Sequence, residues 1–398
     1  MKIAIICDVP LKENNGTAIA ALNLIRFLKK RGHSLIIVCP ESDIPKMEDE
    51  IRVPKINFLF LNGYVEKNGV TLARPEKRIL KKVIENVDVV HLLVPFSLSR
   101  AAVKIARSLG VPITASFHCQ AENVSNHIKM MNNQWFNEQV YKNFYRAVYR
   151  YCDCVHYPTQ FIRNVFENST GPTNGFVISN GVNPLFLSRQ KCAERPGEYR
   201  DRFIILCSGR YSQEKAQHIL IEAAKLSKYA ENLQLIFAGD GPYKEKLKKQ
   251  ASDLPVPPLF RFFGREELAD VISYADLYVH TAEIEIESVA CLEAICGGLL
   301  PIIADSPRSA TRYFALTQNN LFRYDSPQEL SEKIDYWIEH EEEKRICLEK
   351  YLDFSQKFAL DECMKQMEEM LFLAANHGKL DTCLLYTSDA ADDSLRVD

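Results

Sequence analysis

Short apolar runs alternate with amphipathic stretches along most of this chain. In the first half, runs at 2–9, 34–40, 56–61, 87–94, 112–118, 154–158 and 175–179 are rich in apolar residues and bounded by Gly, Pro or polar positions, which predicts strands. Between the first two, Ala21, Leu24, Ile25 and Leu28 recur at helical spacing, and Arg31-Gly32 stops the pattern. The second half repeats the scheme, with strands expected at 203–208, 233–238, 260–263, 277–281 and 300–304. Strand–helix alternation of this kind builds a parallel sheet covered by helices. A polar stretch at 188–202, containing Pro196-Gly197, reads as a linker. The pattern therefore predicts an α/β protein of two doubly wound, Rossmann-like domains facing each other across a cleft. Their expected extents are 1–188 and 189–351. A last helical pattern within 352–380 is expected to pack back on the first domain. Residues 381–398 are acidic and rich in small residues, and read as a non-native, disordered tail outside the fold.

The length of 398 residues suits roughly two to three domains. With 46% hydrophobic and 25% charged residues, the composition excludes a mainly disordered chain. No apolar run approaches the ~20 residues of a membrane span, and the opening MKIAIICDV reads as a strand rather than a secretory signal. Twelve cysteines lie scattered, and Cys152 and Cys154 have no second pair to make a zinc site. The expectation is a reduced, cytoplasmic protein. The net charge of −3 conceals an asymmetry. Residues 1–188 carry 23 Lys and Arg against 15 Asp and Glu, whereas 189–398 carry 26 against 37. The basic half suits an anionic surface. Nucleic acid is excluded as a partner, because the second half is acidic and no recognition module is present.

Four motifs carry chemistry. Asn14-Asn15-Gly16-Thr17 lies between the first strand and its helix, where glycine allows close backbone approach and a helix start offers N–H donors to an anion. Alone it reads as a plain strand-to-helix turn. One glycine is not the dinucleotide fingerprint, which argues against a nicotinamide oxidoreductase. Cys207-Ser-Gly-Arg-Tyr-Ser-Gln-Glu-Lys215 ends the first strand of the second domain. Gly209 opens a turn at the carboxyl edge of the sheet, where open α/β sheets bind ligands. Arg210 and Lys215 present two cations there, as a departing diphosphate requires; two solvated surface cations are the alternative. Ala238-Gly-Asp-Gly-Pro242 forms a second glycine turn on the same edge, which an ordinary Asp-Gly turn would also explain.

The fourth motif runs from Glu283 to Gly298 and contains Glu285 and Glu293 in a Glu-x7-Glu spacing. With a helix starting near Ser288, Glu285 lies in the preceding loop, Ser288 at a phosphate-favouring N-terminus, and Glu293 inside the helix. An acidic helix start accounts for Glu283 and Glu287. It does not account for Glu293 between Leu292 and Ala294, where an unpaired carboxylate would be costly.

Glu-x7-Glu preceded by GRxxxEK and AGDGP resembles the retaining glycosyltransferases of family 4, which have the GT-B fold, across nearly all of residues 1–375. The resemblance implies a hexosyltransferase that uses a nucleotide-sugar, UDP-glucose or UDP-galactose, needs no metal or other cofactor, and makes α-linkages. It implies that Arg210 and Lys215 hold the donor diphosphate, Glu285 the transferred sugar and Glu293 the ribose, with Ser288 beside them. Gly16, Gly209, Gly239 and Gly241 would line the cleft. His118, ending Ile-Thr-Ala-Ser-Phe-His, falls where the family has an active-site histidine near the acceptor; a core histidine is the alternative. The family chemistry is same-face attack, the leaving diphosphate taking the acceptor proton. Many members have Glu-Gly-Phe-Gly where this chain has residues 285–288, and Gly-Gly-x-Pro-Glu where it has residues 306–312. The Glu-Ile-Glu-Ser and Ser-Phe-His-Cys-Gln-Ala-Glu-Asn strings are similar to the bacterial branch that glucosylates diacylglycerol.

The acceptor side adds two basic segments. Within 74–85, Ile79, Leu80, Val83 and Ile84 form one stripe and Lys77, Arg78, Lys81 and Lys82 the other, the pattern of an interfacial amphipathic helix. Residues 127–151 place Lys129, Lys142, Arg146 and Arg150 among Met130, Met131, Trp135 and other aromatics. Such patches suit an anionic membrane surface, although a solvated basic face gives the same pattern. The expected partners are thus a nucleotide-sugar donor and a lipid acceptor, with the protein peripheral on the inner face of the cell membrane. Two further readings are an enzyme extending a capsule or cell-wall saccharide, and a non-catalytic scaffold that binds nucleotide-sugar.

Overall fold

The computed structural model describes residues 1–12, 16–57, 72–126, 130–187 and 194–376. Seven strands form the first sheet: β1 (Lys2–Ile6), β2 (Ser34–Pro40), β3 (Glu50–Val53), β4 (Val89–Leu92), β5 (Ile113–Ser116), β6 (Cys154–Tyr157) and β7 (Gly175–Val177). They lie in the order β3-β2-β1-β4-β5-β6-β7, and every pairing is parallel. Six form the second: β8 (Phe203–Ser208), β9 (Leu233–Ala238), β10 (Leu259–Arg261), β11 (Leu277–His280), β12 (Pro301–Asp305) and β13 (Leu321–Arg323), in the order β10-β9-β8-β11-β12-β13 and again parallel. The two doubly wound sheets agree with the predicted fold class. Each reverses its winding once, between β1 and β4 and between β8 and β11, and such points leave a crevice beyond the carboxyl ends of the strands.

The central strands are buried on both faces, so helices must cover both sides. The helix Gly16–Lys30 buries Ala21, Leu24, Ile25 and Leu28, the predicted face, and closes on Lys29 and Lys30 beside its negative dipole end. Two strands depart from the pattern. The third strand is Glu50–Val53 rather than 56–61, of which 58–61 lie outside the described residues. Its signal is hidden by Glu50 and Arg52, which pair at 2.6 Å while Glu50 also accepts from Met47 N at 2.9 Å. β13, three residues at the far edge of the second sheet, is not among the expected strands.

The basic helix also differs from expectation. Lys77–Ile84 is helical, but Leu80, Val83 and Ile84 are buried in the core that backs the first sheet, alongside Leu98 and Ala102 of the helix Ser97–Leu109. The apolar stripe is consumed by the fold, and only the Lys77, Arg78, Lys81 and Lys82 face is exposed. This is not the arrangement of a helix that sinks an apolar face into lipid.

The chain crosses between halves twice. After β7, Val182 N donates to Phe358 O at 2.7 Å and Leu360 N donates to Val182 O at 3.2 Å. Gly181 sits at φ +74°, and a Cβ there would lie 2.8 Å from Leu360 Cα, so only glycine fits the crossing. The helix Glu341–Ser355 adds Cys347 and Tyr351 to the second core. The helix Leu360–Ala375 returns to the first, burying Met364, Met367, Met370 and Leu371 with Ile3, Ile5, Leu24 and Leu28. The expected tail at 381–398 lies outside the described residues. Among the described residues all cysteines are free and most are buried, and no helix is long and apolar enough to cross a membrane.

Candidate active site

The site forms where loops leave β8, β9 and β11. Gly209, at φ +142°, turns the chain out of β8. Its N–H donates to Ala238 O at 3.0 Å, and Tyr211 N donates to Asp240 O at 3.0 Å. The two glycine turns therefore lie against each other. A Cβ at Gly239 would run into the Gly209 carbonyl, and one at Gly241 into the Tyr211 backbone. Close packing of two rim loops is thus the physical reason for the second glycine motif. Arg210 is exposed on this rim.

Lys215 ends the short turn Gln213–Lys215 and faces the loop after β11. Thr281 Oγ1 donates to Lys215 O at 2.7 Å, and Glu283 N donates to Glu214 O at 2.8 Å. These bonds bring the Lys215 ammonium onto Glu285, to which it donates directly. His280 Nε2 lies 3.4 Å from the same carboxylate oxygen. Burial pushes the Glu285 carboxyl up, but Lys215 and His280 more than reverse this and hold it at about 2. Ala310 N donates to Glu285 O at 2.9 Å, so the 306–312 segment that departs from the family pattern props the loop from behind.

Ser288 follows at φ +67°, a left-handed turn unusual for serine, and caps the helix Val289–Cys296 by accepting from Cys291 N at 3.4 Å. Glu293, inside that helix, is buried and pairs with Arg265 at 2.8 Å, the guanidinium resting over the Phe186 ring. Burial raises its carboxyl to about 7, with Arg265 pulling the other way. The partner that makes this apolar-flanked carboxylate tolerable is therefore an arginine of the same half. Glu293 and Glu285 sit on one loop–helix unit, but Glu293 is turned to Arg265 and Glu285 to Lys215.

His118 follows β5 and lies half-buried, its ring edge-to-face with His156 at 5.7 Å. Beneath it runs a buried polar row. His156 Nε2 meets Ile178 O at 2.7 Å, His156 Nδ1 meets Ser116 Oγ at 2.8 Å, and Ser116 Oγ meets His91 Nε2 at 3.0 Å. A carbonyl only accepts, so His156 carries its proton on Nε2, Ser116 donates to His156, and His91 donates to Ser116. Every member is satisfied and none is charged. Burial lowers His91 to about 3 and His156 to about 4, and drives His118 well below its ordinary value. On the same edge Asp8, after β1, accepts from Leu98 N at 2.6 Å and Ser99 N at 3.0 Å, anchoring the start of the Ser97–Leu109 helix.

Side chains from the two halves meet in front of this site. Gln120 Nε2 donates to Arg308 O at 3.2 Å, Arg308 donates to Asn132 Oδ1 at 2.7 Å and pairs with Glu283, and Asn126 Nδ2 lies 3.4 Å from Glu214. Thr159 Oγ1 donates to Ile286 O at 2.8 Å, and Asn180 Nδ2 donates to Glu287 at 2.6 Å. Gly16 begins the first helix and is exposed, while Asn14 and Asn15 lie outside the described residues. Trp135 is 67% exposed at the start of the helix Gln134–Ala147. Gln120, Asn180, Glu287 and Arg308 were not singled out from sequence for this role. Glu287 in particular reads as an acidic helix start, yet it is 3% exposed and bound by the other half. Among the described residues no three His, Cys, Asp or Glu side chains gather as metal ligands.

Two parallel doubly wound sheets, with an ion pair at the second sheet's switch point, make up the GT-B fold. A family model described as Glycosyltransferase Family 4 matches residues 14–185, and one described as Glycosyl transferases group 1 matches residues 188–352. The chain belongs to the family 4 glycosyltransferases, and its chemistry is hexosyl transfer. It is similar to an alpha-monoglucosyldiacylglycerol synthase of Streptococcus pneumoniae, 26% identical over 320 residues that cover 76% of this chain and 71% of that protein. A protein of the same description from Acholeplasma laidlawii is 23% identical over 76% of this chain and 80% of its own length. In fold it matches Anabaena HepE in complex with UDP-glucose, with a TM-score of 0.72 at 16% identity over 93% of this chain and 99% of that one.

Proposed function

We propose that this protein transfers glucose or galactose from a UDP-sugar to diacylglycerol or a related membrane lipid, with retention, to form an α-glycolipid. The observation that carries the reading is the Lys215–Glu285 pair, a cation beside an ionised, largely buried carboxylate at the carboxyl edge of β8 and β11. Lys215, with Arg210 exposed on the same rim, offsets the charge that grows on the departing diphosphate, so the reading needs no metal. Glu285 stays ionised and accepts hydroxyls of the hexose. His118 is neutral, and a neutral imidazole positions an acceptor hydroxyl without repelling a developing oxocarbenium ion. The acceptor proton then leaves on the diphosphate as the new glycosidic bond forms on the face that the old one vacates. The printed names of the S. pneumoniae and A. laidlawii relatives support the lipid acceptor, and the UDP-glucose complex of HepE supports the donor. The exposed Lys77, Arg78, Lys81 and Lys82 face supports a peripheral position on an anionic inner leaflet.

The test is incubation with radiolabelled UDP-glucose, UDP-galactose and GDP-mannose, each with vesicles containing diacylglycerol or with soluble saccharides, followed by thin-layer separation. The expected result is a labelled lipid, from a UDP-sugar, that an α-glycosidase cleaves. Label passing only to soluble saccharide overturns the lipid acceptor in favour of capsule or cell-wall extension. Donor binding with no transfer at all leaves a scaffold.

A further inference from the structure

Three consecutive residues of the donor loop hold on to different parts of the molecule. Glu285 faces its own half, on Lys215 and His280. The carbonyl of Ile286 accepts from Thr159 Oγ1 of the first half at 2.8 Å. Glu287 then reaches the segment that leaves β7. Its two carboxylate oxygens lie 3.2 Å from Asn180 N, and one accepts from Asn180 Nδ2 at 2.6 Å. Ser179 contributes a further side-chain hydrogen bond.

Water offers neither partner an alternative. Glu287 is 3% and Asn180 8% exposed, so separating them strands a carboxylate and an amide away from water. Burying an acidic group at an inter-domain crossing costs free energy that an apolar residue would avoid. The anchor on the first half is rigid. Ile178 receives the His156 bond at the end of the buried histidine row, and Gly181 is pinned against Leu360. On the other side, Glu287 directly precedes Ser288, whose left-handed turn caps the helix Val289–Cys296.

We propose that Glu287 is a positioning residue, which by gripping Asn180 docks the sugar-binding loop on the first domain, so that Glu285 reaches its working place only while the two halves are engaged. The inference rests on the reading of Glu285 as the contact to the donor sugar. It separates two parts of donor recognition. The diphosphate belongs to the rim loops around Gly209 and Gly241, which Glu287 does not touch, and Glu293, the expected ribose contact, is held by Arg265 of its own half rather than by Glu287. The sugar belongs to the loop that Glu287 docks.

Glu287→Gln keeps the length but sets an amide donor against Asn180's donors, and Asn180→Ala removes the side-chain donor at 2.6 Å while leaving the Asn180 N–H in place. Each is expected to raise the KM for the UDP-sugar about tenfold, with the Kd for UDP alone held within about twofold, and the double variant is expected to be no worse than the more impaired single. In the ligand-free protein, amide hydrogen exchange at residues 283–288 should quicken about tenfold in both variants. An unchanged donor KM, additive effects, or UDP and donor affinities falling together would overturn the proposal, as would unchanged exchange. Should Glu287→Gln fail to fold, Asn180→Ala carries the same measurements. If the unaltered protein transfers no hexose, the proposed function fails by itself, while the exchange measurement still decides the docking of this loop.

Discussion

At the carboxyl end of the first sheet, His91, Ser116 and His156 lie sealed in a hydrogen-bonded row without formal charge. At the corresponding end of the second, Lys215, His280 and Glu285 gather around an ion pair. The two sheets share a winding scheme and a crevice position, so topology does not explain the contrast. Under the proposed function, the chemistry required at each wall does. A diphosphate brings charge that must be met by charge, whereas an acceptor hydroxyl must be oriented but not ionised. Neutrality on the first wall is built by burial, which disfavours the charged imidazoles, while the Ile178 carbonyl at one end sets the direction of the bonds from His156 to His91.

The largest effect expected from this contrast comes from breaking the charged wall. Lys215→Ala leaves Glu285 buried with only His280 beside it and removes a cation from the diphosphate. Hexosyl transfer should fall ~10³-fold, and the Glu285 carboxyl should rise well above about 2. The matching change on the neutral wall, His118→Ala, removes only orientation and should cost ~10²-fold or less in the same assay. A larger loss at His118 than at Lys215 would show that the division between the walls is misdrawn.

A second effect, smaller and on stability, sharpens the neutral wall. The folded-state values of His91 and His156, about 3 and about 4, lie below the unfolded value near 6.5. Each therefore contributes stability that is complete above about pH 6.5 and is lost as the pH falls toward 4, where the unfolded chain binds protons the fold refuses. Asp8 at about 6 and Glu287 at about 7 act oppositely, gaining as the pH falls, so the sum alone does not isolate the imidazoles. Comparison with His91→Gln does, because those carboxyls are common to both proteins. The stability gap measured by denaturant unfolding at pH 7 should shrink by roughly 3 kcal/mol at pH 4. A gap that does not change with pH would mean that His91 titrates as if exposed.

Much of this could be read before any coordinates. Strands with long apolar runs, such as 34–40 and 203–208, declared themselves because burial on both faces leaves no polar position. Lys215 and Glu285 were visible because charged residues at a strand's carboxyl edge have few structural uses there. What stayed hidden depends on partners far away in the chain. Arg265 explains Glu293 from 28 residues away, and Asn180 explains Glu287 from 107 residues away. The histidine row draws one residue from each of several strands, and no local spacing betrays it. The inward face of the 77–84 helix misled for a related reason. An amphipathic period states that one side is covered, but not whether protein or lipid covers it.

That last ambiguity leads to the smallest expected effect, on the outer surface of the neutral wall. With Leu80, Val83 and Ile84 inside the core, the helix has no apolar stripe left to insert, so any attraction to a membrane must be electrostatic. Replacing one of Lys77, Arg78, Lys81 or Lys82 by Gln should weaken binding to anionic vesicles by ~1 kcal/mol, about fivefold. Stability should stay within about 0.5 kcal/mol, because all four side chains are exposed. Binding should also fall steeply with salt, since screening acts over about 10 Å at 0.1 M. Trp135, 67% exposed, offers a fluorescence probe of the same event. Electrostatic docking leaves its emission close to that in water, whereas a large blue shift that survives high salt would mean that lipid takes up an apolar surface on the Gln134–Ala147 helix instead.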